Sequence, residues 1–442
     1  MAPTHWTPDR WALDLRACWS SLGSRTYDVA RMSDPQPVDS TIVVVGASLA
    51  GLRAAEEIRH EGHSGPVIIV GDEIHAPYDR PPLSKQLLAG TWDVPRVHHH
   101  TPDKLDALGL EFRLGRRALS LDTETRTVVL DDGRELHYDG LVVATGARAR
   151  SLPGTGGLPA VRTLRTLDDC LGIRSDLESA GVGARVVIIG AGFIGSEVAA
   201  TCHGLGARVT VVEALPTPLG RVLGDQMGEA CAQLHRAQGV TVLTGATVDR
   251  LSTRPGGPTP TAVHLGDGTV LDADLVVVGV GVAPAVGWLE GSGLTLEDGV
   301  VCSGTLFAGD RVVAAGDVAR WSHPASGEQL RVEHWTNAAE GGAAAARNLL
   351  AGSAAAEPYG PVPFFWSDQY QTKIQVLGLP GPDDEVVVVE GSVVERQLVA
   401  LYRRGDRLRA ALAFSRPRHL MAYRPLLAAG ASFDEALAVA RS

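Results

Sequence analysis

Three glycines in the middle of the chain have the types and spacing of a phosphate cradle. Gly190, Gly192 and Gly195 form a G-x-G-x-x-G pattern directly after the apolar run Val186–Ile189. In such a turn the first glycine permits a tight bend, the second lets backbone N–H groups approach a pyrophosphate, and the third lets the next helix pack on the strand. The positive N-terminus of that helix then faces the phosphates. The spacing predicts a dinucleotide site, to which Ile194, inside the turn, is also assigned.

A carboxylate stands where such a site would meet a ribose. Glu213 ends the next apolar run, TVVE, and can accept hydrogen bonds from both hydroxyls of an adenosine ribose. The same charge would repel a 2′-phosphate, so we expect NADH to be preferred over NADPH. Arg208 and Arg221 are close by in the sequence and could weaken that preference.

A second, less regular cradle lies nearer the N-terminus. Gly46 and Gly51 frame the turn GASLAG after the apolar run TIVVVG, and Ser48 stands where the middle glycine is usual. A serine is small enough to allow close approach, and its hydroxyl could itself meet a phosphate. The acid at the end of the next strand is Asp72 or Glu73. One chain therefore carries two dinucleotide-fold openings.

The elements around both turns are those of parallel sheets. Each turn separates an apolar strand from a helix that leads to a second apolar strand, which is the βαβ unit. From about residue 361 the pattern changes to shorter strands, EVVVVEG and QLVALYRRGDRLRAALAF, followed by a closing helix, ASFDEALAVARS. The fold class predicted is α/β, with two Rossmann-like dinucleotide-binding domains and a C-terminal α+β domain.

Composition excludes several classes of protein. The net charge of -11 over 442 residues argues against a nucleic-acid binder, which needs cationic surface. No apolar run reaches the roughly 20 residues of a membrane span, and no signal-peptide pattern opens the chain, so we expect a cytoplasmic protein. The five cysteines show no Cys-x-x-Cys spacing. His98, His99 and His100 point in different directions on any backbone, so we expect no metal site.

Several ordered segments carry a resemblance to a known family. They are PYDRPPLSK (77–85), LVVATGARARSLPG (141–154), RTLDD (165–169), AAGDVARW (314–321), EHWTNAAEGG (333–342) and FFWSDQY (364–370). From Thr41 to its end the chain resembles the two-dinucleotide flavoproteins of the glutathione-reductase superfamily. More closely, it is similar to the FAD-dependent ferredoxin reductases of bacterial oxygenase systems.

The resemblance implies a domain order in which the NAD-binding domain is inserted into the FAD-binding domain. The expected boundaries are a poorly ordered extension (1–40), the first part of the FAD-binding domain (41–150), the NAD-binding domain (151–278), the second part of the FAD-binding domain (279–358) and the C-terminal domain (359–442).

It also implies a set of FAD-contacting residues. These are Gly46, Ser48, Ala50, Gly51, Asp72, Lys85, Leu119, Arg165, Asp317 and Trp335. Ala50 and Asp72 would lie at the adenosine and pyrophosphate end, and Leu119 at the adenine. Asp317 would hold the ribityl chain and pyrophosphate, and Trp335 would lie near the pyrimidine end of the isoalloxazine ring.

Two residues are implied in the chemistry itself. Lys85 would lie near flavin N5, where a cation stabilises the reduced ring, and Glu197 would pair with it and meet the nicotinamide side. An ammonium and a carboxylate in a poorly hydrated site are tolerable as a pair and costly alone. We therefore predict that the two side chains lie within hydrogen-bond reach of each other.

The electron acceptor follows from what the sequence lacks. The stretch Asp72–Gly90, where disulfide-reducing relatives carry redox cysteines, contains no cysteine, so electrons must leave from the flavin. The resemblance implies an iron–sulfur ferredoxin, usually acidic, as the partner. Candidate docking charges are Arg148, Arg150, Arg403, Arg404 and Arg407. The alternatives are an NADH oxidase or diaphorase that uses oxygen or a quinone, and a non-enzymatic flavoprotein that senses NADH.

Overall fold

A computed structural model describes residues 33–155, 158, 160–253 and 261–441. Most of the predicted N-terminal extension lies outside these residues. The end of this extension is held in place by the buried Ser33. Its backbone N–H donates to Ser353 Oγ at 2.7 Å, and its hydroxyl donates to Asp310 at 3.0 Å. No helix in the described part of the chain is long and apolar enough to cross a bilayer.

The first unit contains the irregular glycine turn. Its strands are β1 (Ile42–Val45), β2 (Val67–Gly71), β3 (Glu111–Leu114), β4 (Ala118–Asp122), β5 (Thr127–Leu130), β6 (Glu135–His137), β7 (Gly140–Val143) and β8 (Ala147–Ala149). Its helices are α1 (Leu49–His60), α2 (Val94–Val97) and α3 (Pro102–Ala107), and a 3₁₀ helix covers Pro81–Ser84. The turn before α1 follows strand β1, which is central in the sheet because it pairs in parallel with β2 on one side and β7 on the other.

The second unit repeats this plan around the regular glycine turn. Its strands are β9 (Val161–Thr163), β10 (Arg185–Ile189), β11 (Arg208–Glu213), β12 (Thr241–Thr244), β13 (Val248–Thr253), β14 (Thr261–Leu265), β15 (Val270–Ala273) and β16 (Leu275–Val278). Its helices are α4 (Leu167–Ala180), α5 (Phe193–Gly204) and α6 (Gly220–Arg236). Here β10 is central, with β11 and β16 as its parallel neighbours.

The chain then returns to the first sheet. The next elements are β17 (Val282–Pro284), β18 (Val300–Cys302), β19 (Phe307–Gly309), β20 (Val312–Ala314), β21 (Ala319–Ser322), β22 (Gln329–Leu330), α7 (Trp335–Ala351) and 3₁₀ helices at Gly287–Leu289 and Gly316–Val318. Strand β20 pairs in parallel with β7, which gives the order β19-β20-β7-β1-β2-β3. The second unit is thus inserted into the first, and the predicted fold class is confirmed.

The C-terminal domain is an antiparallel sheet with helices on one face. It consists of β23 (Phe364–Gln369), β24 (Thr372–Gly378), β25 (Glu385–Ser392), β26 (Gln397–Arg404), β27 (Arg407–Phe414), α8 (Pro417–Met421), α9 (Arg424–Ala428) and α10 (Phe433–Ala440). The closing helix begins with a capping box between Ser432 and Glu435, the sequence signature that made it predictable.

The second unit and the C-terminal domain share one buried core. Leu223 and Met227 of α6 pack in the same apolar cluster as Ile374 of β24 and Tyr402 of β26. The Tyr402 hydroxyl donates to the Leu223 carbonyl oxygen at 3.0 Å. Because side chains from both units fill this core, the C-terminal sheet is fixed against the second unit as well as against the first.

Candidate active site

The three glycines of the regular turn are explained by two different physical requirements. A Cβ atom on Gly190 would lie 2.4 Å from the Gly279 carbonyl oxygen, and one on Gly195 would lie 2.1 Å from the Gly190 carbonyl oxygen. Packing therefore requires the first and third glycines. A Cβ on Gly192 would come no nearer than 4.0 Å to the Gly279 oxygen, and the residue has an ordinary φ of -74°. The middle glycine is thus explained by a ligand that approaches the backbone, as a pyrophosphate does.

The irregular turn obeys the same rule. A Cβ on Gly46, which has a φ of +124°, would lie 2.1 Å from the Ala144 oxygen, and one on Gly51 would lie 1.8 Å from the Gly46 oxygen. Ser48, at the middle position, caps α1 with an extended φ of -104°, which any residue adopts. Packing leaves this position open to a serine, so the departure from the glycine pattern does not disturb the cradle.

Ala50 holds the cradle against the returning part of the chain. A Cβ on Gly342 of α7 would lie 2.3 Å from the Ala50 oxygen, and one on Gly316 would lie 2.9 Å from the Ala50 Cβ. Small residues on both sides let α1 and α7 approach closely. This contact brings the Gly316–Val318 turn, with Asp317, to the N-terminal end of α1.

A cleft of about 340 Å³ opens at the carboxyl ends of the first sheet. Residues that line it include Gly46, Gly71, Asp72, Ala118, Arg148 and Trp288. The carboxylate of Asp72 accepts from Arg148 at 2.9 Å, whereas Glu73 turns away to pair with Arg80 at 2.7 Å. Of the two acids left open by the sequence, Asp72 is therefore the one that faces the cleft.

Two neighbouring residues of β4 differ in how they meet the cleft. Leu119 is 53% exposed and does not line the cleft, whereas Ala118, before it, is buried and does. Neighbouring residues of a strand point to opposite faces, so a shift of one residue changes the side of the strand. Ala118 is therefore the residue of this pair that faces the cleft, and the contact of Leu119 with an adenine stays a prediction.

The other implied FAD residues are joined in pairs from distant parts of the chain. Asp317, in the 3₁₀ turn after β20, accepts from Arg165 Nη2 at 2.7 Å, and both side chains are largely buried. Trp335 begins α7 and donates its Nε1–H to Asp79 at 2.7 Å. Asp79 belongs to the segment PYDRPPLSK, so this segment and the start of α7 are held together at the site.

The predicted contact between Lys85 and Glu197 is present. The ammonium of Lys85, which follows the 3₁₀ helix, lies 2.7 Å from Glu197 Oε2 on α5, and the side chains are 12% and 7% exposed. The pair crosses from the first unit to the second at the start of α5. It occupies the junction between the two units.

Sequence reasoning missed three further donors to Glu197. The Ser84 hydroxyl donates to Oε2, while the Ser367 hydroxyl donates to Oε1 at 2.8 Å and the Asp368 backbone N–H donates to Oε1 at 3.3 Å. All three lie in segments that carry the family resemblance, PYDRPPLSK and FFWSDQY. That membership was a signal that could have found them.

Glu213 is fixed beside the regular turn. Its Oε2 accepts the Ala191 N–H at 2.7 Å and its Oε1 accepts the Leu215 N–H at 2.8 Å. Ile194, 39% exposed, lies in the first turn of α5. Arg208 begins β11 and Glu213 ends it, about 16 Å apart at 3.3 Å per residue. Arg208 therefore does not offset the charge of Glu213, contrary to the expectation from sequence proximity.

The described cysteines are buried and unpaired. They are Cys170, Cys202, Cys231 and Cys302. Burial raises the pKa of each thiol to about 12. A thiol of such high pKa carries almost no thiolate at neutral pH, so none of the four is suited to be a redox nucleophile. Cys18 lies outside the described residues.

The histidine triplet is not part of the described group of side chains that has metal-ligand spacing. Among the described residues the cluster that could hold a metal ion is Glu57, His60 and Glu61 at the end of α1, where two of the three are exposed. His100 instead contacts the Glu56 carboxylate.

The candidate docking arginines are engaged within the chain. Arg403 and Arg404 pair with Glu385 at 2.7 Å and Asp384 at 2.8 Å, and Arg407 donates to the Gly430 oxygen. Arg148 donates to the Asp72 carboxylate, and Arg150 donates to the Val282 carbonyl oxygen at 2.9 Å. These charges are partly compensated by contacts within the chain.

Comparison with known proteins matches this arrangement along most of the chain. Residues 40–342 match the family described as pyridine nucleotide-disulphide oxidoreductase, and residues 364–442 match the one described as reductase C-terminal. Rhodocoxin reductase from Rhodococcus erythropolis is 35% identical over 413 residues, which is 91% of this chain and 95% of the relative. The ferredoxin–NAD(+) reductase component of the anthranilate 1,2-dioxygenase system from Burkholderia cepacia is 36% identical over 396 residues, 89% of this chain and 95% of the relative.

A solved structure agrees in three dimensions. The crystal structure of the covalent putidaredoxin reductase–putidaredoxin complex matches with a TM-score of 0.83 and 32% identity, over 88% of this chain and 93% of the matched chain. With both glycine cradles, the insertion of one unit into the other and the C-terminal domain all in place, the chain belongs to the pyridine nucleotide-disulphide oxidoreductase family.

Proposed function

We propose that the protein is an NADH-dependent ferredoxin reductase that serves an oxygenase. It takes a hydride from NADH onto FAD and passes single electrons to an iron–sulfur ferredoxin. The observation that carries the proposal is the buried Lys85–Glu197 pair, which lies where the two dinucleotide-binding units meet. The relatives support it: one is named a rhodocoxin reductase, and the other is named the ferredoxin–NAD(+) reductase component of a dioxygenase system.

The residues of the first unit fit FAD. The glycine cradle at Gly46 and Gly51 offers the start of α1 to a pyrophosphate, and Asp72 and Ala118 line the cleft beyond it. Asp317, whose carboxylate is held by Arg165, would accept hydrogen bonds from hydroxyls of the ribityl chain. FAD, when bound, supplies a ring that accepts a hydride and gives up electrons one at a time. The chain supplies binding, orientation and charge.

The residues of the second unit fit NADH. Glu213 is held by two backbone N–H groups beside the regular turn, which fixes its carboxylate where an adenosine ribose would lie. The same carboxylate would repel the extra phosphate of NADPH. Lys85 carries a positive charge at the junction, where it would stabilise the negative charge gained by the flavin.

We predict that cofactor choice depends on Glu213. Glu213→Ala should raise the Michaelis constant for NADH and bring it closer to the constant for NADPH, because ribose hydrogen bonds and a repulsive charge are lost together. Glu213→Gln should also bring the two Michaelis constants closer, but it should raise the constant for NADH less, since the amide keeps an acceptor. Steady-state kinetics with both nucleotides measure the change. A wild-type protein that already prefers NADPH would contradict the role of Glu213.

The lack of a suitable thiol favours the flavin as the point from which electrons leave. The stretch Asp72–Gly90 has no cysteine, and the four described thiols are buried with raised pKa values. A disulfide-reducing reaction would need a cysteine beside the ring. Transfer to an external acceptor requires none. Unpaired cysteines also support our proposal that the protein resides in the reducing cytoplasm.

The function is tested by ferredoxin-dependent electron transfer. Purified protein with NADH is assayed against a panel of ferredoxins, with oxygen alone and a soluble quinone as the comparison acceptors. We expect one or more ferredoxins to be reduced much faster than oxygen. Equal turnover with oxygen alone would favour an NADH oxidase, and flavin reduction with no turnover on any acceptor would favour a sensor of NADH.

A further inference from the structure

The carboxylate of Glu197 accepts hydrogen bonds from two parts of the chain and itself belongs to a third. Lys85 and Ser84 come from the first unit, and Ser367 and the backbone of Asp368 come from the C-terminal domain. Glu197 itself stands on α5 of the second unit. The Thr201 hydroxyl, one turn later on α5, donates to the Ser84 carbonyl oxygen at 2.7 Å and ties the same two units again.

The four donors use up the acceptor capacity of the group. An ionised carboxylate has about four lone-pair sites, two on each oxygen. Here Oε2 receives the donors of the first unit and Oε1 receives those of the C-terminal domain. A rotation of the carboxylate, or its protonation, would leave a buried donor unpaired. Glu197 is therefore arranged to act through Lys85, by keeping the ammonium in place.

Ser367 is itself oriented for this contact. It is fully buried on β23, and Gln369 Nε2 donates to its oxygen at 3.3 Å, which directs the hydroxyl hydrogen toward Glu197. The rings of Phe193 and Phe365, whose centroids are 4.8 Å apart, hold the start of α5 against the same strand. Strand β23 is thus held against α5 by a ring contact two residues before Ser367 as well as by Ser367 itself.

We propose that Ser367 is a positioning residue for hydride transfer: it holds Glu197 Oε1 so that Oε2 faces Lys85. The C-terminal domain then contributes to the first half-reaction through a side chain that contacts Glu197. This inference rests on the proposed function, because it assigns Ser367 to the site at which NADH would reduce the flavin.

The test is a double-mutant cycle between Ser367→Ala and Glu197→Ala in the holoenzyme. Stopped-flow reduction by NADH, without ferredoxin, gives the limiting rate and the NADH dissociation constant, and a dye-coupled titration gives the flavin midpoint potential. Loss of a hydrogen bond to a charged group predicts that Ser367→Ala lowers the limiting rate about tenfold and makes the potential more negative. NADH affinity should change less than the rate does.

The cycle separates positioning from packing. If Ser367 acts through Glu197, then Ser367→Ala should change neither rate nor potential in the Glu197→Ala protein. Additive effects, or a fall in melting temperature with unchanged rate and potential, would overturn the inference. The matched control is Ser392→Ala, which should behave as wild type. It removes a hydroxyl that accepts the Glu395 N–H in a turn of the same sheet.

Failure of the inference and failure of the proposed function give different results. If the wild-type protein retains no flavin, or NADH does not reduce it, the proposed function fails. If NADH reduces wild type and Ser367→Ala equally fast, only the role of Ser367 fails.

Discussion

Replacement of Lys85 with alanine is expected to slow reduction of the flavin by NADH about a hundredfold, the usual effect of removing one preorganised electrostatic group. The ammonium lies 2.7 Å from Glu197 in a site that excludes most water, so its charge is poorly screened. Without it the flavin would gain negative charge unassisted, and its reduction potential should fall. NADH binding, which we assign to the regular turn and Glu213, should change much less.

A second lysine provides the control. Lys373 pairs with Asp368 at 2.8 Å, but its side chain is 48% exposed, and such surface pairs contribute little. Stopped-flow reduction of Lys85→Ala, with Lys373→Ala as the control, distinguishes the two sites. A Lys85→Ala protein that is reduced at the wild-type rate at saturating NADH would remove Lys85 from the mechanism, whatever its effect on NADH affinity.

Replacement of Asp317 with alanine is expected to release much of the FAD during purification. The change removes an acceptor at the proposed ribityl position and leaves the Arg165 guanidinium, 2.7 Å away, without its carboxylate in a largely buried site. An unpaired buried charge costs about 3–5 kcal/mol in general, so both the site and its affinity should suffer. The flavin content after gel filtration and the FAD dissociation constant of the reconstituted protein measure the loss.

Two variants bracket this effect. Asp317→Asn keeps an acceptor and should retain more FAD than Asp317→Ala. Asp298→Ala removes an exposed carboxylate that pairs with Arg331 at 3.1 Å, and should retain FAD as wild type does. Undiminished flavin content and affinity in Asp317→Ala would show that the carboxylate does not contact the cofactor.

Short-range patterns predicted the scaffold well. Both βαβ openings, the C-terminal strands and the closing helix were predicted from runs of apolar residues and from glycine spacing. These signals work because a strand, a turn and a helix N-terminus are fixed by neighbours within about 30 residues. Even the irregular Ser48 turn could be interpreted, since packing demands glycine only at the positions of Gly46 and Gly51.

Sequence proximity does not decide which side or end of a strand a residue occupies. The sequence does not show which of Ala118 and Leu119 meets the cleft, and the alternation of β4 turns Ala118 toward it. Arg208 was taken as a neighbour of Glu213 because they are close in sequence, yet an extended strand places them at opposite ends. The strand pattern left the choice between Asp72 and Glu73 open and the family resemblance named Asp72. In the structure Glu73 pairs with Arg80, and Asp72 lines the cleft.

The sequence by itself determined the two nucleotide-binding folds, the expected preference for NADH and the lack of a redox cysteine beside the first unit. The Lys85–Glu197 contact came from family resemblance, because the two residues are 112 positions apart and no local pattern relates them. Only the tertiary structure added Ser367, 170 positions from Glu197, and with it the C-terminal domain's hold on that carboxylate. A buried carboxylate takes its donors from whichever segments the fold brings within 3 Å, and that choice is made by packing between units.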